Sequence, residues 1–144
     1  MKKLSLIILS SILLFSCNKN KKFSKRLSGE TWTTVEITVD GDKQEDLSTL
    51  TFNECDIYKD NCFASWEVEN TKANFIWQFR EKAKIFEISN QSELTEDLEL
   101  AIRQCINYSG VYDVTDNSKT SLTIKSTSTI GYDGEEVIIK IQKQ

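Results

Sequence analysis

The chain has no histidine, and that single absence removes several kinds of chemistry. Ser-His and Cys-His nucleophilic catalysis both need an imidazole as the general base, so neither can be built from this chain alone. A zinc site is disfavoured by the same absence and by cysteine spacings that are not CxxC-like. The sequence also lacks a phosphate-cradling glycine loop and a nucleophile elbow. We therefore expect a protein that is not an enzyme and that needs no metal or cofactor.

Carboxylates are the remaining candidates for acid and base chemistry. Glu96, Asp97 and Glu99 fall together, but their spacing fits the solvated face of a predicted helix better than a catalytic pair. The run from Asp40 to Asp46 resembles an oxygen-rich calcium loop, yet it lacks the glycine and the final glutamate that such a loop needs. We expect no catalytic or metal-binding residue in either place.

A basic surface is also missing. The 144 residues carry 18 lysines and arginines against 22 aspartates and glutamates, a net charge of −4. Nucleic-acid binding needs a basic footprint on the protein, so no nucleic-acid partner is expected. The length fits one ordinary domain with a real core, and no internal repeat or second domain is visible.

Long hydrophobic runs are absent apart from one short stretch near the N-terminus. Lys2 and Lys3 precede twelve residues, Leu4 to Phe15, in which only serine interrupts the apolar side chains. As a helix this stretch would reach about 18 Å at ~1.5 Å per residue, well short of the ~30 Å hydrocarbon core of a bilayer. The pattern is typical of a secretory signal rather than of a permanent transmembrane helix.

The end of this stretch, Leu14-Phe15-Ser16-Cys17, resembles the cleavage box of bacterial lipoprotein signal peptides. The resemblance implies that residues 1–16 are removed and that Cys17 becomes the acylated first residue, held in a membrane by its acyl chains. Asn18 stands where an aspartate would favour the inner membrane, so the resemblance favours the outer membrane of a bacterial cell envelope. Without Lys2 and Lys3 the mature chain has 16 basic against 22 acidic residues, or −6.

Residues 17–26 are predicted to form the lipidated cysteine and a basic tether. Asn18 to Arg26 contains five positive charges and almost nothing apolar. One interpretation is attraction to anionic headgroups, at about 1 kcal/mol per charge near the surface. The other, which the polar composition favours, is a solvated linker that cannot fold. The folded domain is then expected over residues 27–144.

Period-two alternation of apolar and polar residues dominates the rest of the chain and is typical of half-buried antiparallel strands. Most neighbouring strands are expected to pair as simple hairpins. The predicted class is all-β, an antiparallel up-and-down barrel of about eight strands. The predicted strands are Thr31–Val39, Thr49–Cys55, Cys62–Glu69, Lys72–Arg80, Ala83–Ser89, Asn107–Val114, Thr120–Ser126 and Glu135–Lys143.

Ser92 to Cys105 is the exception, since its apolar residues recur at helical spacing with charged residues opposite them. We predict one amphipathic helix there. A helix within a β chain must cover either an open barrel end or an exposed sheet edge. Such a covering role is favoured over that of a mobile lid that controls ligand entry.

The strand from Lys72 to Arg80 predicts what the barrel contains. Ala73, Phe75, Trp77 and Phe79 share one face, which should point inward, while the other face carries Lys72, Asn74, Gln78 and Arg80. The interior of an eight-stranded barrel is either filled by side chains or just able to hold one small ligand. So many large side chains in a narrow space favour a filled core, with a ligand cavity as the alternative.

The first predicted strand carries a second resemblance. Leu27 to Ile37 is similar to the opening of lipocalin-like lipoprotein domains, in which a glycine shortly precedes a tryptophan that closes one barrel end. Two residues separate Gly29 from Trp32 here, where most lipocalins have one. Further likeness lies in Leu50–Phe52, Cys62 before Trp66, Phe75–Trp77, Tyr108–Tyr112 and the final aliphatic strand. The resemblance implies a lipocalin-like barrel that binds a small apolar molecule.

Two functions are therefore predicted as alternatives for a non-catalytic, monomeric protein. The first is binding of a small apolar ligand inside the barrel. Its candidate residues are Trp66, Phe75, Trp77, Phe79 and Tyr112. The second is binding of an envelope protein, as an inhibitor or an assembly partner, by the loops of a side-chain-filled barrel. The opening through Trp32 is also similar to envelope stress-resistance domains of that kind.

With Cys17 taken by lipid, three cysteines remain, which permits one bridge and leaves one thiol over. An exported location is compatible with disulfides. Cys55 ends one predicted strand and Cys62 begins the next, so the favoured bridge joins these two and contributes about 2–3 kcal/mol in the chain-entropy model. A bridge from Cys62 to Cys105, or three unpaired cysteines, is the alternative.

Replacing Cys17 by serine tests the predicted anchor. We expect the Cys17→Ser protein to be released from membranes or mislocalised while its thermal unfolding stays unchanged, because the cysteine lies outside the predicted barrel. Fractionation of cells, combined with metabolic labelling by a radioactive fatty acid, measures the effect. A Cys17→Ser protein that stays firmly bound to membranes would contradict the prediction.

Overall fold

Antiparallel strands make up most of the protein. The computed structural model describes residues 19–56, 61–93 and 98–144; the predicted signal peptide and Cys17 lie outside these ranges. The strands are β1 (Thr31–Val39), β2 (Asp42–Lys43), β3 (Thr49–Phe52), β4 (Cys62–Val68), β5 (Thr71–Arg80), β6 (Ile85–Asn90), β7 (Gly110–Asn117), β8 (Ser121–Ser128) and β9 (Asp133–Lys143). The helices are α1 (residues 19–27) and α2 (Leu100–Asn107). The all-β class and the eight-stranded barrel are confirmed. β3 ends three residues before the predicted Cys55, and β7 begins three residues after the predicted Asn107, because Asn107 ends α2.

The sheet closes on itself. Neighbouring strands pair antiparallel in the order β2-β1-β3-β4-β5-β6-β7-β8-β9, and β9 pairs back onto β1 from Trp32↔Lys143 to Val39↔Val137. The two-residue strand β2 forms a short hairpin arm on the end of β1, so eight strands complete the ring. Successive antiparallel neighbours with closure give the predicted up-and-down, lipocalin-like barrel.

Alternation along β5 shows how the sequence specifies the barrel wall. Ala73, Phe75, Trp77 and Phe79 are buried, and the polar residues between them are exposed. Successive side chains of a strand point to opposite faces, so the apolar face lines the interior while the polar face meets solvent. Burial of these large rings supplies much of the free energy that favours the folded barrel.

The helix α1 corrects the prediction of a solvated linker for residues 19–26, while Asn18 lies outside the described ranges. Residues 19–27 are helical and lie against one end of the barrel, which we name the α1 end. Phe23 packs against Phe79 with ring centroids 6.2 Å apart, and Leu27 is buried, whereas the lysines of the segment are exposed. Phe23 and Leu27 stand one helical turn apart and share a face. This spacing indicates a helix, but two apolar residues among five basic ones were too few to predict it.

The same helix holds a strained turn between β5 and β6. Glu81, Lys82 and Ala83 have φ angles of 51°, 61° and 62°, in the left-handed region that costs a non-glycine residue about 1–2 kcal/mol. The backbone N–H of the buried Ala83 donates a hydrogen bond to Oδ1 of Asn20 at 2.6 Å. α1 therefore supplies an acceptor to the most strained turn of the described chain.

The helix α2 covers the opposite end of the barrel, which we name the α2 end. The amphipathic helix predicted from Ser92 to Cys105 is present, but α2 begins only at Leu100, and residues 94–97 lie outside the described ranges. Ala101 and Cys105 are fully buried where the helix packs across β4, β5 and β6. The position fits the covering role predicted for it.

Replacing Asn20 by alanine tests the contact between α1 and the strained turn. The free energy of unfolding should fall by about 1–3 kcal/mol, because the N–H of Ala83 would lose its acceptor. Chemical denaturation followed by tryptophan fluorescence measures the change. Lys22→Ala, on the exposed side of α1, is the matched control and should alter stability by less than about 0.5 kcal/mol. Equal effects of the two substitutions would show that Asn20 does not support the turn.

Candidate functional site

The residues predicted to contact an apolar ligand lie together inside the barrel. Trp66 lies on β4 and Tyr112 lies on β7. The other three, Phe75, Trp77 and Phe79, lie on β5. None of the five is more than 5% exposed. The sequence therefore placed all of them correctly in the interior, and their packing decides what this interior can hold.

Aromatic rings occupy the space between these residues. Phe52 packs edge-on against Phe75 and Trp77, with centroids 6.1 and 5.2 Å apart. Phe86 lies 4.9 Å from Phe79 and 6.1 Å from Trp77. Centroid separations of about 4.5–7 Å are those of directly packed aromatic pairs. The rings contact one another, so this part of the interior is filled by side chains.

Among the predicted ligand residues, the ring N–H and O–H donors are hydrogen-bonded within the protein, whereas the buried Nε1–H of Trp32 has no partner among the described residues. Nε1–H of Trp66 donates to Oε1 of Gln104 on α2 at 3.0 Å. The hydroxyl of Tyr112 donates to the carbonyl oxygen of Tyr108 at 2.5 Å. Burial raises the pKa of Tyr112 well above its ordinary value, which keeps this hydroxyl protonated as a donor. Both donors serve the fold and are not directed at a bound molecule.

The cysteines follow the favoured pairing. Cys55 and Cys62 form a disulfide with their Cα atoms 5.4 Å apart, which confirms the predicted bridge between β3 and β4. Cys105 is a free, buried thiol on α2. Burial raises its pKa to about 12, so the thiol is protonated at neutral pH and acts as a small apolar side chain.

A groove opens on the outside of the barrel where β6 and β7 separate. Their pairing stops at Ile88↔Gly110, and beyond this point the N–H of Asn90 donates to Oγ of Ser109 at 3.0 Å. The resulting groove has a volume of 590 Å³. Its apolar lining residues are Ile88, Ile106, Val111 and Ile130. Because Glu87 is the single charged residue in this lining, the groove is suited to apolar contacts.

Ile130 is held in a fixed place at the groove. It is 69% exposed, and Val111 is 40% exposed. The N–H of Ile130 donates to the carbonyl oxygen of Ser109 at 2.9 Å, and the N–H of Gly131 donates to that of Asn107 at 3.0 Å. A Cβ atom on Gly131 would lie 2.6 Å from the Asn107 side chain, so this close approach requires glycine. The backbone presents an exposed apolar side chain without a mobile loop.

No pattern in the sequence predicted this groove. Ile130 lies between the predicted strands Thr120–Ser126 and Glu135–Lys143, where one apolar residue produces no periodic signal. The available signal was the presence of an isolated isoleucine beside a glycine-containing turn. Other exposed apolar side chains, at Val35, Leu47 and Phe63, lie away from the groove lining.

Charge differs between the two ends of the barrel. Exposed acids on the loops of the α2 end are Asp40, Asp42, Glu45, Asp46, Glu69, Glu93, Glu99, Asp133 and Glu135. The same end has the exposed bases Lys43, Lys72 and Arg103. At the α1 end the balance is reversed: exposed lysines are Lys19, Lys21, Lys22, Lys25, Lys82, Lys84, Lys119 and Lys143, against the exposed acids Glu54, Glu81 and Asp116. Separate regions of opposite charge favour different partners at the two ends.

The described residues contain neither a metal-binding cluster nor a membrane-spanning helix. Within residues 19–56, 61–93 and 98–144, no group of three or more His, Cys, Asp or Glu side chains is placed to hold a metal ion. Neither of the two described helices is long and apolar enough to cross a bilayer. Cys17, Glu96 and Asp97 lie outside the described ranges, so what was predicted of them stays a prediction.

Comparison with known proteins gives this chain no family. No protein-family profile matches it, and no curated protein matches its sequence. The lipocalin-like architecture rests on the described strands and their closure. Function is therefore argued from the interior and the surfaces of the barrel.

Titration of thiols tests the assignment of the cysteines. Ellman's reagent should find no reactive thiol in the native protein at mildly alkaline pH, because Cys105 is buried and protonated. In denaturant without reductant, the reagent should detect one thiol per acylated chain, that of Cys105. The Cys105→Ala variant is the control and should lose that thiol. Rapid reaction of the native protein would show that Cys105 is not buried.

Proposed function

We propose that this protein is a lipid-anchored protein of the bacterial envelope that binds a protein partner on the outside of a side-chain-filled barrel. One observation carries the proposal: the rings that an interior ligand would contact are already packed against one another. Specific binding then belongs to the outer surface. The lipid at Cys17 enters the proposal from the sequence alone.

A small apolar ligand in the interior is the less well supported function. To admit one, Phe75, Trp77 or Phe79 would have to leave its place, and such a buried ring contributes about 3–5 kcal/mol relative to alanine. Typical ligand pockets are clefts or cavities of roughly 300–1,000 Å³. Four pockets among the described residues lie at the surface, and none of these three side chains lines them.

The groove between β6 and β7 is the best candidate for the contact surface. The exposed side chains of Val111 and Ile130 give it an apolar centre, which is where most interface energy is concentrated. Adjoining loops carry the acids Glu93, Asp133 and Glu135. A protein segment with an apolar side chain flanked by basic residues fits this combination of shape and charge.

Tryptophan fluorescence tests whether the interior is filled. Trp32, Trp66 and Trp77 are all buried, so an apolar molecule entering the barrel would change their emission. Titration with fatty acids, lysophospholipids and aromatic compounds should leave the spectrum unchanged. Native mass spectrometry of protein extracted from its own membranes should show no bound small molecule. A saturable shift in emission or a stoichiometric adduct would overturn the proposal.

A photo-crosslinking amino acid at position 130 tests the groove in cells that produce the full chain. Irradiation should yield one discrete protein adduct, which Val111→Asp should reduce by about tenfold through loss of a central apolar contact. Position 35 is the matched control, because Val35 is 44% exposed on the opposite side of the ring. It should give no such adduct. Absence of the adduct at position 130, or the same adduct at both positions, would contradict the proposal.

A further inference from the structure

We infer that the α1 end of the barrel is a docking face for an anionic lipid surface. The barrel then stands on the membrane by this face and does not swing on a linker. The inference rests on the proposed function only for the acyl chains on Cys17, and it concerns a face separate from the groove.

Covalent geometry keeps α1 close to the predicted lipid. Asn18 alone separates Cys17 from Lys19, and this length of extended chain spans at most about 7 Å. The described chain begins with α1, which is helical over residues 19–27. A lipid on Cys17 therefore places the start of α1 within about one Debye length, ~8 Å at physiological ionic strength, of the headgroups.

The helix and the β5–β6 turn form one basic face. Lys19, Lys22, Lys82 and Lys84 line a single surface pocket of 350 Å³, and all four are exposed. Asp116 is the one acid in that lining, and Glu81 is the one exposed acid of the turn. Each lysine near an anionic membrane strengthens partitioning by about fivefold, so the excess of positive charge favours such a surface.

The fold places the turn lysines beside those of the helix. Lys82 lies between two other residues with positive φ, a conformation that persists only when its surroundings impose it. Asn20 accepts the hydrogen bond of Ala83, and Phe23 packs on Phe79. Contacts from α1 thus hold the strained turn in the position that makes the basic face continuous.

The acidic α2 end supports the same orientation. Its exposed acids, among them Asp40, Asp42 and Glu45, would be repelled by the surface that attracts the lysines. Both ends of the barrel therefore favour one arrangement, in which the α1 end faces the lipid and the acidic loops face away. In that arrangement Ile130 and the groove stay accessible to a protein partner.

The reactivity of single lysines tests this face on the full, lipidated protein. Protein purified from membranes is reconstituted on the outside of phosphatidylcholine vesicles, with or without about one third phosphatidylglycerol. A neutral acylating reagent is added, and mass spectrometry measures each lysine. We expect a severalfold slower reaction on the anionic vesicles for Lys22, Lys82 and Lys84. The difference in rate between the two vesicle types should shrink in ~1 M salt, where the Debye length is ~3 Å. Lys43 and Lys72, at the α2 end, should react alike on both.

Two matched double variants complete the test. Lys82→Gln with Lys84→Gln removes two charges from the α1 end and should return Lys22 on anionic vesicles to nearly its rate on neutral ones. Lys43→Gln with Lys72→Gln removes two charges from the α2 end and should leave Lys22 protected.

Three outcomes are decisive. Equal reactivity on both vesicle types, with the protein still attached, would overturn the inference and leave the anchor intact. Protein that associates with neither vesicle would also overturn it. Protein without acyl chains that floats only with anionic vesicles would support it. The adduct at position 130 does not depend on these results, so failure of this inference is distinguishable from failure of the proposed partner binding.

Discussion

Trp77 contacts three other rings inside the barrel, those of Phe52, Phe79 and Phe86, at centroid distances of 5.2, 6.4 and 6.1 Å. An eight-stranded ring has an interior only wide enough for side chains or for one small ligand. Once these rings occupy that space, they fix the strands around them by close packing. Other molecules can then contact only the outer face and the two ends of the barrel. The groove lies on the outer face, and the basic face lies at the α1 end.

Features that depend on local pattern could be predicted from the sequence. The alternation along β5 predicted the inward face, and the two cysteines on either side of one short loop predicted the disulfide, although β3 ends at Phe52, before Cys55. Features that depend on tertiary contact could not. Phe23 and Leu27 stabilise α1 because Phe79 and the barrel end receive them, whereas the segment by itself has the composition of a solvated linker.

In the candidate site, too, features set by local pattern could be predicted and features set by tertiary contact could not. Alternation placed Trp66, Phe75 and Tyr112 inside, but the filling of a barrel depends on how rings from several strands interlock, which no local pattern encodes. The position of Ile130 depends on backbone hydrogen bonds that join a loop to the end of α2 and to Ser109. Such bonds exist only in the folded chain, so an isolated isoleucine beside a glycine was too weak a signal to predict the groove.

The pairing of β1 with β9 joins Trp32 to Lys143, residues from opposite ends of the described chain. Contacts of such long sequence separation slow folding, and the free edge of β1 lacks its neighbour until β9 arrives. For a chain exported N-terminus first, as proposed, the ring closes only after β9 has emerged. In such a chain β1 and β9 cannot pair until transport is nearly complete, so closure of the barrel cannot precede it.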